Sequence, residues 1–248
     1  MINIEFTPEK DGIVASEENT FEVLLRASSD LMRPSGSIKK LPLNLALVID
    51  RSGSMQGRPL EEAKKCAAML VDRMSEVDQL SVVTYDNSVN VIVPMAKVMN
   101  KNLLKNTINN IRQGGMTALY DGWSVGAEQV AEFADNNNLS RVLLLSDGQV
   151  NRGLTDEETI SSHCAKMAEN GVTTSTYGLG SRFNENLMTA MATAGQGQSH
   201  YGQTADDLMD PFSEEFDLME AIIARRMRLQ ILPEVGVSFE LLNHYPTD

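Results

Sequence analysis

Asp50, Ser52 and Ser54 stand at alternate positions directly after an aliphatic run, in the stretch LNLALVIDRSGSMQGRP over residues 43–59. One carboxylate and two hydroxyls spaced in this way aim three oxygens at one point. Two later stretches enlarge the set. Gly114, Gly115 and Met116 lead into Thr117, which puts a hydroxyl on a glycine-rich turn before a helix. Ser146, Asp147 and Gly148 close a second aliphatic run and supply a second carboxylate. Two acids and three hydroxyls, with no sulfur or imidazole among them, select a hard divalent cation: magnesium, with manganese or calcium as alternatives. Magnesium keeps several of its waters, so a coordination position stays open to an incoming carboxylate. Each piece alone has an ordinary explanation as a strand end, a turn former or a helix cap. Their joint occurrence, in order and at strand ends, is what points to a site.

The elements that must hold these residues follow a strand-then-helix rhythm. Residues 45–49 are near-continuous aliphatics, the pattern of a strand buried on both faces of a parallel sheet. The loop after such a strand lies at the carboxyl edge, where open α/β sheets bind ligands. A helix over 59–74 follows, with Pro59 at its start and Glu61 and Glu62 in its first turn. Its apolar face carries Ala63, Cys66, Ala67, Leu70, Val71 and Met74. Residues 79–85 and 89–93 read as a hairpin across Asp86, Asn87 and Ser88. Helices over 103–111 and 118–134 come next, with Gly122 and Gly126 marking close packing in the second. The pattern then predicts a strand over 141–145, a helix over 156–170 stopped by Gly171, and a strand over 172–177. A helix over 185–194, a short strand near His200 and Tyr201, and a last helix over 206–225 complete the region. The stretch 195–202, with its GQGQ, otherwise reads as a mobile loop.

The two ends follow a different pattern. Residues 2–6 and 20–27 alternate apolar and polar, as half-buried antiparallel strands do, and 30–40 reads as a linker. Met227, Leu229 and Ile231 alternate in the same way, and so do Val237, Phe239 and Leu241 after a turn at 233–236. The expected organisation is a small antiparallel β-subdomain formed by both termini, residues 1–40 and 227–248, around an α/β domain over 41–226.

Composition narrows the function. Asp and Glu number 34 against 21 Lys and Arg, for a net charge of −13. That balance argues against nucleic acid or an anionic membrane as the main partner. Cys66 and Cys164 fall on apolar helix faces and read as buried free thiols in a reducing compartment, not as a disulfide or zinc site. No apolar run reaches the roughly 18 residues that would suggest a membrane span. The beginning, MINIEFTPEKDG, lacks a signal peptide's basic and apolar regions, so the expected location is cytoplasmic.

The region from about residue 42 to 225 resembles a von Willebrand factor type A domain. DRSGS, GGMT and SDG match the three loops of that family's metal-ion-dependent adhesion site, and Asp50, Ser52, Ser54, Thr117 and Asp147 fall on its pattern residue by residue. The resemblance implies a mostly parallel, doubly wound, Rossmann-like sheet with helices on both faces and the second hairpin strand as its antiparallel edge. It implies that the serines, and the threonine in a high-affinity state, ligate the metal directly, while the aspartates act directly or through water. An Asp or Glu of a protein partner would complete the shell. The flanking strands resemble the bacterial branch of the family, where an A domain is set into a β-rich subdomain. The implied function is metal-dependent protein–protein interaction, not catalysis.

Other residues bear on partner choice. Arg51, Arg58, Arg112 and Arg152 are expected on loops near the metal edge, where basic groups on an acidic protein would favour an acidic partner surface. Asp121, four residues after Thr117, is a candidate to orient a ligand. His163, His200 and His244 lack ligand spacing, and Trp123 reads as packing. The enzymatic alternative is a phosphohydrolase using Asp50 as nucleophile. That chemistry usually needs a second acid two residues on, where this chain has Ser52, and a lysine near the phosphate, which neither Asp147 nor Thr117 has beside it.

Overall fold

The structure, a computed structural model, describes residues 2–10, 12, 18–29, 41–135, 137–147, 149–179, 184–220, 222 and 229–243. The chain divides into two compact units, Met1–Leu41 and Pro42–Asp248.

In the first unit, β1 (Ile2–Pro8) and β2 (Val23–Ser29) pair antiparallel, with Phe6 opposite Leu25. The pairing matches the alternation, but the predicted half-burial does not appear. Ile4, Phe6 and Leu24 are each more than half exposed. A two-stranded ribbon has no second layer of its own to cover either face.

The second unit is built on a six-stranded sheet with the order β5-β4-β3-β6-β7-β8. Its strands are β3 (Leu43–Asp50), β4 (Gln79–Tyr85), β5 (Val89–Lys97), β6 (Leu139–Ser146), β7 (Val172–Leu179) and β8 (Gln196–Gly202). All neighbours run parallel except β4 and β5, so the hairpin strand is the antiparallel edge, as expected. Every residue of β3 is buried, which is why its sequence shows no polar alternation until Asp50. Ala46 and Val48 pack on one face with α3 (Leu119–Ala131), α4 (Glu157–Glu169) and α5 (Glu185–Ala194). By the strand's period of two, Leu45, Leu47 and Ile49 point to the other face. There α1 (Arg58–Arg73) contacts β3 and packs on α6 (Ala205–Glu220) and α2 (Lys101–Asn109).

The glycines of α3 set how close it sits to the sheet. A Cβ at Gly126 would overlap Val48 Cγ2, and one at Gly122 would overlap the Tyr85 ring. The stop at Gly171 also holds, at a φ of +87°.

Two expectations change. The stretch read as a mobile loop, 195–202, is edge strand β8, paired parallel to β7 with His200 opposite Tyr177. Gly197 lies so close to the Thr174 carbonyl that a Cβ would overlap it, so the glycines serve strand packing and not motion. At the other end, 229–243 forms no strand among the described residues, and Leu232, Val237 and Phe239 are exposed. Alternation supplies a face, but a strand also needs a hydrogen-bonding partner. Met227, His244 and the linker at 30–40 lie outside the described residues.

Candidate metal centre

Three loops meet at the carboxyl edge of the sheet. Asp50 is the last residue of β3, with Tyr85 opposite it on β4, and Ile49 pairs with Leu145 on the other side. That register brings Asp50 beside the start of the Ser146–Asp147 loop. After Asp50 the chain makes a single 3₁₀ turn, Gly53–Met55, before Gly57 at a φ of +80° opens α1. The third loop is tied to the first by backbone alone. Gly53 N–H donates to the Gly115 carbonyl and Gly114 N–H to the Arg51 carbonyl, both at 2.6 Å. A Cβ at Gly114 would overlap the Asp86 carboxylate, so this close approach requires glycine.

All five predicted oxygen ligands come to this edge. Asp50 and Ser52 are wholly buried and Thr117 and Asp147 nearly so. The Ser52 and Ser54 hydroxyls lie 3.1 Å apart. Asp50 Oδ1 accepts the Ser52 N–H at 2.8 Å, and its Oδ2 accepts the hydroxyls of Ser146 at 2.6 Å and Tyr85 at 3.2 Å. Asp147 accepts from the Ser54 hydroxyl and, at 3.1 Å, from Gln149 N–H. Thr117 N–H donates to Asn151 Oδ1 at 2.7 Å. Gly148 of the third motif lies outside the described residues.

The electrostatics are unbalanced. Burial pushes the Asp50 carboxyl up to about 6, with the Asp147 charge adding to it and the Ser146 and Ser52 donors opposing it. Burial also raises Asp147, against the pull of Ser54 and Gln149. Among the described residues, every group holding these two acids is neutral. Such a donor set fits a divalent cation, which would supply the missing positive charge to oxygens already gathered. Among the described residues no cluster of three His, Cys, Asp or Glu side chains occurs, so a cation held here would need hydroxyl ligands as well.

Sequence reasoning missed the residues that hold this edge together. Asp86, in the turn after β4, donates nothing to the ligand set, yet its Oδ2 accepts Gly115 N–H at 3.3 Å and pairs with Arg51 Nη2 at 3.0 Å. Its backbone carbonyl accepts Ala118 N–H. The Asn87 side chain accepts Met116 N–H. An acid directly after a strand of the same sheet edge was the available signal.

The comparisons with known proteins agree with this geometry. The family model for the von Willebrand factor type A domain matches residues 44–214. The chain belongs to that family. An uncharacterized protein of Synechocystis is 31% identical over 206 residues, covering 81% of this chain and 47% of that protein. Human inter-alpha-trypsin inhibitor heavy chain H3 is 26% identical over 186 residues, covering 71% of this chain and 21% of that one. The chain thus spans less than half the length of these curated relatives. Among solved structures, a von Willebrand factor type A protein from Catenulispora acidiphila aligns with a TM-score of 0.65 at 18% identity, over 86% of this chain and 48% of that one. Proximal thread matrix protein 1 from mussel byssus, solved with a zinc-occupied MIDAS motif, aligns with a TM-score of 0.61 at 21% identity, over 72% of this chain and 48% of that one. Both alignments speak to the fold.

Of the four arginines expected near the metal edge of this A domain, Arg51 and Arg112 are in contact. Arg51 is held by Asp86 and donates to the Arg112 carbonyl at 3.3 Å. Arg112 is exposed beside it. Arg58 opens α1, and Arg152 is exposed in the loop after β6. Asp121 lies in the first turn of α3 against Gly153. Trp123 is buried and donates from Nε1 to Thr174, as packing predicts. His163 bonds Tyr120 and His200 stacks on Tyr177, which gives both a structural place. Both thiols are buried, and burial pushes each up to about 12. Among the described residues no helix is long and apolar enough to cross a membrane.

Proposed function

We propose that this A domain binds a divalent cation through Asp50, Ser52, Ser54, Thr117 and Asp147 and uses it to capture an Asp or Glu side chain of a protein partner. The observation that carries the reading is the pair of buried acids, Asp50 and Asp147, held among the described residues only by neutral donors at the sheet edge. The serine and threonine hydroxyls contribute direct ligands. Asp50, whose two oxygens are already engaged by Ser52, Ser146 and Tyr85, acts on them from behind and through water. A bound cation supplies an open position for an incoming carboxylate. The oxygen-only donors favour magnesium, with manganese or calcium as substitutes, although the mussel protein named above took zinc. The same engagement of Asp50 speaks against the phosphohydrolase alternative, because a nucleophilic carboxylate needs a free oxygen facing the substrate. The module is therefore read as a binder and not an enzyme. Its ligands all lie within 41–226, which we take as the A domain, with 1–40 and 227–248 as flanks that limited proteolysis would release first.

Calorimetric titration of magnesium, manganese and calcium tests this reading. Asp50→Ala and Asp147→Ala should lose cation binding while keeping the far-ultraviolet circular dichroism of the wild type. Acetate should tighten the cation in the wild type. Thr117→Ala should weaken acetate-linked binding more than cation binding alone. Retention of wild-type magnesium affinity in either aspartate variant would refute the assignment.

A further inference from the structure

A groove of about 460 Å³ opens beside the metal edge, between α2 and the strands β4 and β5. Arg51 and Arg112 line it together with Asn90, Asn110, Thr107 and Ile92. No acidic side chain lines it among the described residues, in a chain whose net charge is −13. Arg51 stands between Asp50 and Ser52 in the chain, so the groove's lining adjoins the loop of the proposed ligands. Two of its guanidinium nitrogens are used by Asp86 and by the Arg112 carbonyl, while its Nε is buried with no hydrogen-bond partner in the described structure. The Arg51 side chain as a whole is still 23% exposed and lines the groove, where a carboxylate can add a charge-assisted bond. The anchoring of Arg51 also removes most of the entropy that a free arginine loses on binding. Asn90 and Asn110 are exposed amides that can meet a peptide backbone, and the groove's volume suits one or two side chains.

We propose that this groove holds a second acidic side chain of the same partner segment whose carboxylate completes the metal shell. The inference rests on the metal-dependent reading above and sharpens it. The partner is a protein segment with acidic residues close together, one held by the cation and the next by Arg51 and Arg112. Arg152 and Arg58 lie outside the groove and add only to the general field.

The test uses the whole chain and acetyl-hexaglutamate amide as probe, at low ionic strength with saturating magnesium. Magnesium affinity is measured first without peptide, for the wild type, Arg112→Glu and Arg152→Glu. The two variants change the charge equally, but only the first alters the groove. Arg112→Glu should weaken hexaglutamate about tenfold and Arg152→Glu less than about twofold, with magnesium affinity unchanged in both. Equal losses in the two variants, or none in Arg112→Glu, would overturn the groove assignment. If magnesium alone fails to bind the wild type, the metal reading falls. The groove assignment then stands or falls on whether Arg112→Glu still weakens the peptide more than Arg152→Glu.

Discussion

Two buried acidic clusters in this A domain are balanced in opposite ways. Glu215, 2% exposed on α6, is met by a cation of the protein itself. Arg141 of β6 pairs with its Oε1, the Ser175 hydroxyl donates to the same oxygen, and the Tyr177 hydroxyl donates to Oε2. Phe212 stacks on the Tyr177 ring and covers the cluster. Asp50 and Asp147, by contrast, have hydroxyls and amides but no cation among the described residues. Arg51, the basic residue next in the chain, is turned to Asp86 instead. The first cluster is complete within the fold and serves to fix α6 on the sheet. The second, on the proposed reading, is completed by a charge from outside. If the proposal holds, one sheet carries a buried acid as structure and another as a binding site, the difference being where the compensating charge comes from.

That contrast can be broken from either side. The largest effect is expected for Glu215→Ala, which strands Arg141 in a largely buried position. It should cost about 3 kcal/mol in urea denaturation and leave magnesium affinity unchanged. A smaller loss, about 2 kcal/mol, is expected for Gly122→Ala, because the new methyl must displace the Tyr85 ring. Tyr85 donates to Asp50, so this variant should weaken magnesium as well, which separates it from Glu215→Ala. Asp86→Asn should cost about 1 kcal/mol, since it loses the Arg51 pair while the backbone ties between Gly53, Gly114, Gly115 and Arg51 remain. Its signature is a magnesium affinity reduced more than its stability would suggest. An Asp86→Asn protein with wild-type magnesium affinity would mean that the Thr117 loop does not need the bracket.

The oxygen ligands could be read in the sequence because each sits at the end of a locally recognisable element. An aliphatic run ending in an acid and small residues marks both a buried strand and its edge loop, so the strands before Asp50 and Asp147 are legible from the sequence. The contacts that were not legible act across long separations. Ser146 reaches Asp50 across 96 residues and Arg141 reaches Glu215 across 74, and no local pattern encodes such pairs. The Arg51–Asp86 bracket hides for the same reason. Composition misled at 195–202, where glycine and glutamine suggested mobility but pairing with β7 made a strand. At 229–243 the alternation suggested strands, but the described residues offer no strand pairing to complete them. The β1–β2 ribbon was legible in its register and not in its burial, because a covering layer is a tertiary property.

The most direct test is the melting temperature of the wild type and Asp50→Asn, each in chelator and in saturating magnesium. A buried acid without a cation is a cost to the empty fold, so Asp50→Asn should melt no lower than the wild type in chelator. Magnesium should raise the melting temperature of the wild type, because it binds the folded state, and leave the variant where it was. A variant that melts well below the wild type in chelator, yet gains as much from magnesium, would contradict the account.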